Sequence, residues 1–423
     1  MINQSRMDIR RVLLISYYFP PMGLSGVQRT SKFVKYLPEF NWEPIVLTSS
    51  PKSYYAFDEE LQRELDETKA KVFRTGISTS RKLKKFPRNI LIQNIGRIIL
   101  SFFLQPDTKV LWKRKAIELG REILSNHKVD VIFATAPPFT DFLIAQELSK
   151  EFNIPFVVDY RDVWVDNPFH FFPTFAHKMY VRKLEENVLK EASRIIVTFR
   201  GTKDVLLTKY PFLKSDEVII IPHGYDKKDF EMVEDIRPDP NKFVVTHSGL
   251  FQDNRNPKFF LKAFAKFVEV RNDGIPKEAW FVGLMRKSHI KLIKKFNLET
   301  KVKLFGYQPH SEVVRLLKMS NLLWLMFEDN VRSPGKLYEY FGAKKPVLIC
   351  APDGYMKSLA LESDSAIGVE PRDVEGIYRA LNTFYDLWRN ETLPEPSDSF
   401  LEKFDRKILT EQLSLQLALA CRI

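Results

Sequence analysis

The chain has 423 residues, 44% of them hydrophobic, with 65 Lys and Arg against 53 Asp and Glu for a net charge of +12. That composition excludes a disordered chain, and the length allows two or three domains. Two cysteines, Cys350 and Cys421, exclude a disulfide framework or cysteine-rich metal site and fit a reducing compartment, and no run approaches the ~18 apolar residues of a spanning helix.

The first residues are basic and lead into a short apolar run without a small-residue cleavage site, so a strand is expected there rather than a signal peptide. Strands are predicted at Arg11 to Ser16, Glu43 to Thr48, Val129 to Thr135, Phe156 to Asp159, Ile195 to Thr198 and Val218 to Pro222. These runs lack period-two alternation, as expected of parallel strands covered on both faces. Helix-period segments such as Arg29 to Leu37 and Thr140 to Glu151 lie between them. After the turn-rich Pro238-Asp239-Pro240-Asn241 the alternation restarts, with strands at Phe243 to His247, Ala279 to Val282, Val302 to Phe305, Leu322 to Met326 and Pro346 to Cys350. The fold class predicted is α/β, with two doubly wound parallel-sheet domains facing across a cleft. The expected boundaries are 1–235 for the first domain and 236–399 for the second. An amphipathic helix at about Leu401 to Ala420, within a C-terminal segment 400–423, is expected to pack back on the first domain.

Five segments carry residues suited to chemistry. Tyr17 to Arg29 (YYFPPMGLSGVQR) joins a strand to a helix, and Gly23 and Gly26 allow a ligand to approach the backbone; a plain turn is the alternative. Thr135 to Thr140 (TAPPFT) closes a strand at Pro137, with Thr140 a candidate N-cap. Asp159, Arg161, Asp162 and Trp164 follow a strand directly. Two carboxylates beside an arginine and a tryptophan suit sugar hydroxyls or a leaving group, and equally an internal ion pair with a core Trp. Gly249, after the second domain's first strand, precedes the cations Arg255 and Lys258. Ser333 to Leu348 (SPGKLYEYFGAKKPVL) is the strongest. Ser333 is a candidate cap; the open amides at Gly335, the helix dipole and Lys336 attract a diphosphate, and Glu339 lies one turn on, within reach of a ribose.

In this order the segments, with Ile221 to Asp226 (IPHGYD), resemble the retaining glycosyltransferases of family 4, which have the GT-B fold. The resemblance implies nucleotide-sugar binding in the second domain and acceptor binding in the first. Glu339 matches the second glutamate of the family's E-x7-E motif, which holds the donor ribose, and Arg255 falls where the family places a cation on the diphosphate. Two positions depart from the pattern. The first glutamate of the motif is Val331 here, with Glu328 nearby but out of register, and Ala136-Pro137-Pro138 stands where many members carry a histidine. The implied donor site is Gly249, Arg255, Ser333, Gly335, Lys336 and Glu339. Asp159, Arg161, Asp162 and Lys336 are the catalytic candidates, and Gly23, Gly26, Pro137 and Trp164 the acceptor side. The implied reaction is metal-independent transfer with retention, in agreement with the lack of any D-x-D sequence. The alternatives are a nucleotide-sugar 2-epimerase of the same fold and a non-catalytic binding protein.

The net charge is local. From Lys69 to Arg121 there are 14 basic residues against Asp107 and Glu118, and the rest of the chain is neutral on balance. Arg81-Lys82-Leu83-Lys84-Lys85 precedes an amphipathic segment, Asn89 to Gln105, and Lys113-Arg114-Lys115 follows it. Residues 81–115 are therefore expected to meet an anionic membrane surface, which suits a lipid-linked or oligosaccharide acceptor and a peripheral place on the inner face of the cytoplasmic membrane. A core helix flanked by solvated charge is the alternative. Nucleic acid is not expected, because no binding motif accompanies the charge.

Overall fold

A computed structural model describes residues 9–23, 25–54, 57–76, 101–234, 236–251 and 255–422. The chain divides into two compact units, Met1–Pro222 with Leu409–Ile423, and His223–Ile408.

The first unit holds a parallel sheet in the order β3-β2-β1-β4-β5-β6-β7. Its strands are β1 (Arg10–Ile15), β2 (Trp42–Thr48), β3 (Lys71–Arg74), β4 (Val131–Ala136), β5 (Phe156–Tyr160), β6 (Arg194–Val197) and β7 (Val218–Ile220). Alternate residues of the apolar runs serve opposite faces. Leu13, Ile15, Ile45 and Leu47 enter a core with the helices Lys113–Asn126 and Thr140–Phe152. Val12, Leu14 and Val46 enter another with Phe33 and Val34 of the helix Ser25–Tyr36 and with Leu409, Leu413 and Leu417. Burial on both faces is what removes the period-two signature from the sequence.

The second unit repeats the plan with β8 (Phe243–Ser248), β9 (Lys277–Val282), β10 (Val302–Gly306), β11 (Leu322–Met326), β12 (Val347–Cys350) and β13 (Ala366–Val369), all parallel, in the order β10-β9-β8-β11-β12-β13. Phe260 stacks on Trp324 with ring centroids 3.9 Å apart and anchors the helix Lys258–Val270 to the sheet.

The central strands fall where the sequence places them, within one or two residues. The edge strands β3 and β13 are additions: both are only partly buried, β3 (KVFR) carries a cation at each end, and Gly368 interrupts the short run of β13 (AIGV). The terminal helix is two helices, Asp398–Glu402 and Arg406–Ala420, because Tyr225 pairs with the intervening chain, its N–H donating to Phe404 O and its carbonyl accepting from Arg406 N. Residues 77–100, which include the lysine cluster and most of the amphipathic segment, lie outside the described residues.

One buried ion pair ties the first unit together. Arg29 Nε and Nη2 donate to the two oxygens of Asp159 at 3.0 and 2.8 Å. Its remaining hydrogens reach Pro222 O and Ile221 O, and Thr135 Oγ1 donates to Asp159 Oδ2 at 2.7 Å. Neither charge touches water. Removing one partner leaves the other charged and dry, so Asp159→Ala is expected to lower the unfolding free energy by about 3–5 kcal/mol. Urea unfolding followed by circular dichroism checks this; unchanged stability with lost activity would return Asp159 to the catalytic candidates.

Candidate functional site

In both sheets the strand order reverses, between β1 and β4 and between β8 and β11. Chains leaving two such neighbours diverge to opposite faces, and ligands of open α/β sheets bind in the gap at the carboxyl ends. The site candidates from the sequence sit at these two edges.

At the first unit's edge the structure separates framework from open surface. Asp159 is part of the interior pair described above, which corrects its assignment to catalysis: both oxygens are occupied and it is fully buried. Arg161 is likewise a clamp. Its guanidinium donates to Ala136 O (3.3 Å), Gly26 O and Pro137 O, binding the end of β4 to the start of the helix Ser25–Tyr36. Trp164 is fully buried, stacked on Phe139 at 4.7 Å, and is core rather than acceptor surface. Asp162 is half-buried near Arg161, and of Gly23, Gly26 and Pro137 only Gly26 is exposed. Thr140 is not an N-cap. Its amide and hydroxyl both donate to Asp107, 2.9 Å each, so a carboxylate distant in sequence caps this helix.

Two further groups at this edge were not singled out by sequence. Asp141 is fully buried; its Oδ2 accepts from Tyr17 N at 2.8 Å and its Oδ1 has no hydrogen-bond partner. Burial pushes its pKa well above the usual carboxylate range. The Lys109 ammonium lies over the rings of Tyr17 and Tyr18, 4.8 and 5.7 Å from their centroids, and burial lowers its pKa.

The second unit's edge is built around Gly249. Its backbone has φ +106°, a region that favours glycine, and a Cβ there would stand 1.9 Å from Lys336 Nζ. The Lys336 side chain therefore lies directly on the Gly249 backbone. Gly283 (φ +137°) packs from the other side, where a Cβ would meet Gly249 O at 2.7 Å. The floor is a polar lock. Tyr340 OH accepts from Ser248 N (2.8 Å) and donates to Trp324 O (3.3 Å), and His247 Nδ1 donates to the same carbonyl (3.0 Å). His247 is stacked on Phe251 and its pKa lies well below the ordinary value, chiefly through burial and then the Lys336 charge, so the ring is neutral.

The helix Gly335–Gly342 starts at this edge. Pro334 occupies its cap position and no side chain caps it; Ser333, expected as the cap, is buried with Oγ 3.3 Å from Tyr338 OH. Leu337 N donates to Pro334 O (3.2 Å), and the amides of Gly335 and Lys336 are left for another partner. Lys336 and Glu339, one turn apart, are both half-buried, and neither side chain has a hydrogen-bond or ion-pair partner among the described residues. Burial, then the Arg255 charge, push the Lys336 pKa down to about 7, while Glu339 is raised by burial. Glu328 lies in an ion pair with Arg372 (2.7 Å), and Val331 donates its N–H to Asp329 Oδ1. Open amides, an under-stabilised ammonium and a lone carboxylate together fit an anion followed by a group bearing hydroxyls.

Two doubly wound parallel sheets of this order are those of the GT-B fold. Residues 29–229 match the family described as Glycosyltransferase Family 4, and residues 229–394 match Glycosyl transferases group 1. The chain belongs to these family 4 glycosyltransferases. Among solved structures it is similar to a glycosyltransferase from Rickettsia africae (15% identity, 97% of this chain and 98% of that one, TM-score 0.66). It is similar also to Anabaena HepE in complex with UDP and glucose (14%, 97% and 99%, 0.65) and to a putative UDP-N-acetylglucosamine 2-epimerase from Listeria monocytogenes (12%, 96% and 95%, 0.58). At these identities the likeness is one of fold. No curated protein gives a significant match.

The glycines make a testable contrast. Gly249→Ala and Gly283→Ala each place a side chain at positive φ against an occupied space, and each is expected to cost about 1–3 kcal/mol of stability. Gly335→Ala, with nothing within 4 Å of its Cβ, should leave stability unchanged. Chemical unfolding of the three variants checks the order.

Proposed function

We propose that the chain is a retaining hexosyltransferase that moves a sugar from a nucleoside-diphosphate sugar to a lipid-linked glycan of the cell envelope, working at the inner face of the cytoplasmic membrane. The observation that carries the donor half is the pair Lys336 and Glu339, two charges of opposite sign without a partner among the described residues, at an uncapped helix start. In this reading the diphosphate lies against Lys336, Arg255 and the first-turn amides at Gly335, close to Gly249 and Ser333. The ribose hydroxyls meet Glu339. The complex of HepE with UDP and glucose supports a nucleotide-sugar as donor.

The acceptor oxygen bonds to the anomeric carbon on the face from which the diphosphate departs, so configuration is retained. The anomeric C–O bond breaks with its electron pair going to the diphosphate, and the acceptor hydroxyl proton passes to a diphosphate oxygen. Lys336, Arg255 and the amides stabilise the growing negative charge where it develops. Asp162, with Gly26 and Pro137 at the first unit's edge, serves to orient the acceptor; Gly23 is buried and takes no part. None of the described helices is long and apolar enough to cross a membrane.

Incubation with nucleotide-sugars in the absence of acceptor tests the reaction class. Slow hydrolysis is expected; an epimerised sugar would replace transferase with epimerase, and binding without turnover would leave a binding protein. Glu339→Ala should weaken UDP-sugar binding by more than roughly tenfold, through loss of charge-assisted hydrogen bonds to the ribose; titration calorimetry measures this, and equal affinity would remove Glu339 from the site.

The Lys336 shift gives a pH dependence with a definite sign. A pKa depressed to about 7 makes the free lysine cationic only below neutrality. A bound diphosphate favours the cation, so binding above pH 7 must take up a proton. UDP affinity should be greatest near pH 7 and fall by up to about tenfold per unit from pH 7 to 9, until the pKa of the complex is passed. Lys336→Arg, charged throughout, should flatten that profile.

A further inference from the structure

The first unit carries an aromatic surface that the transfer reaction does not use. In the segment 167–174, His170 and Phe172 stack on each other (4.3 Å, 4° between planes), and Phe172 packs against the core. The alternate residues Phe169 and Phe171 are turned outward. Thr174 then caps the helix Phe175–Glu191, accepting from His177 N. His177 Nε2 lies 3.2 Å from Phe102 O. A carbonyl only accepts, so Nε2 carries the proton and Nδ1 accepts from the Thr174 hydroxyl at 2.7 Å. The ring edge of His177 meets Phe102 at 5.1 Å. Residues 101–103 are thereby fastened to the first turn of the helix.

What these contacts hold in place is apolar and open to solvent. Phe103 is 81% exposed, Phe175 77%, Phe171 55% and Tyr180 55%, with Phe102 and Met179 also exposed. Phe175, Met179 and Lys183 follow at four-residue spacing along one helix face. Between Pro168 and Leu184 the charged residues are Lys178, Arg182 and Lys183, with no acid. The pairings of Lys178 with Asp166 and Lys183 with Glu186, 3.9 and 3.6 Å, are long and at the surface. Contiguous exposed aromatics of this extent mark an interaction surface. Phenylalanine, tyrosine and methionine rimmed by cations match the interfacial zone of an anionic bilayer, where rings enter the headgroup level and each cation adds about 1 kcal/mol. A second copy seated symmetrically would bring the same cations against themselves.

We propose that the face formed by residues 101–103 and 169–180 seats the first unit on an anionic lipid bilayer. The inference rests on the peripheral-membrane part of the proposed function and names its surface; it depends neither on the transfer reaction nor on residues 81–100. It is tested by flotation of the full chain with vesicles of phosphatidylcholine and phosphatidylglycerol in about equal parts. The wild-type chain should float. Phe103→Ser/Phe171→Ser/Phe175→Ser, at solvent-facing positions, should keep the wild-type unfolding midpoint and lose roughly tenfold or more in partitioning. Lys178→Glu/Lys183→Glu should lose binding to these vesicles while keeping the weaker binding to phosphatidylcholine alone. Failure of the wild-type chain to float, or equal flotation of the triple-serine variant, overturns the proposal. So does a wild-type dimer that the serine variant dissociates without a change in vesicle binding. Because no donor or acceptor enters the experiment, its outcome is independent of the activity assay.

Discussion

The constraint on which the rest depends is the reversal of strand order in each sheet. Parallel strands leave the sheet at one edge, and only where the order turns do two neighbours send their chains apart. In the second unit this happens after β8 and β11, so Gly249 and the helix starting at Gly335 border the same gap. The gap would fill with side chains if the backbone allowed them. Glycine at 249 and 283 keeps main chain against main chain, and Lys336 occupies the space that a Cβ would take. The Tyr340 hydroxyl and the His247 ring both end on Trp324 O, so helix, β8 and β11 are held in one register beneath the opening. Their pairing uses up the polar groups of the floor and leaves those of the rim.

That difference separates charge the chain satisfies itself from charge it leaves open. Arg29 and Asp159 are drier than Lys336 and Glu339, yet almost every hydrogen-bonding position of the first pair is taken from within the chain. Arg161 is similar, with three carbonyls as partners. Such groups hold the first unit in shape and have nothing to offer a substrate. Lys336 and Glu339 are half-buried and without a partner among the described residues, and the fold keeps them so at a cost in charge stabilisation that appears as a lysine pKa near neutrality. An environment that destabilises an empty cation is one that gains most when an anion arrives, and it needs no rearrangement to do so.

The same distinction governs what could be read from the sequence. Central strands announce themselves because burial on two faces demands an apolar run. β3 and β13 do not: both are only partly buried, β3 with a cation at each end and β13 with a glycine in its middle. Lys336 and Glu339 stand out because a helix start with Gly, Lys and a glutamate three residues later has no packing reason, and the structure leaves both side chains without a partner among the described residues. Asp159 and Arg161 looked equally chemical, and only their partners, Arg29 and the carbonyls of Gly26 and Pro137, lying far away in sequence, show them to be framework. Distance in sequence also hid the cap on Thr140, supplied by Asp107, and the interruption of the last helix by Tyr225. Gly283 carried no signal at all, since its need for glycine comes from the Gly249 backbone across the sheet edge.

Charge shows most clearly how a count along the chain differs from a field in space. The window Lys69 to Arg121 holds the whole net charge. Several of its described members draw acids from outside the window: Lys71 meets Glu43, Lys113 meets Glu147, and Arg121 meets Glu151. Arg74 donates to Pro20 O, and Lys109 lies on two tyrosine rings. Much of the described part of the window is therefore neutralised or enclosed once the chain folds. Between Pro168 and Leu184 the excess is only three cations, too few to stand out in a composition, but the two lysine pairings are loose and the neighbouring rings are exposed. A surface attracts lipid by the charge it leaves uncompensated together with the apolar area it leaves uncovered. By that measure a short stretch with modest charge outweighs the described part of a strongly basic one.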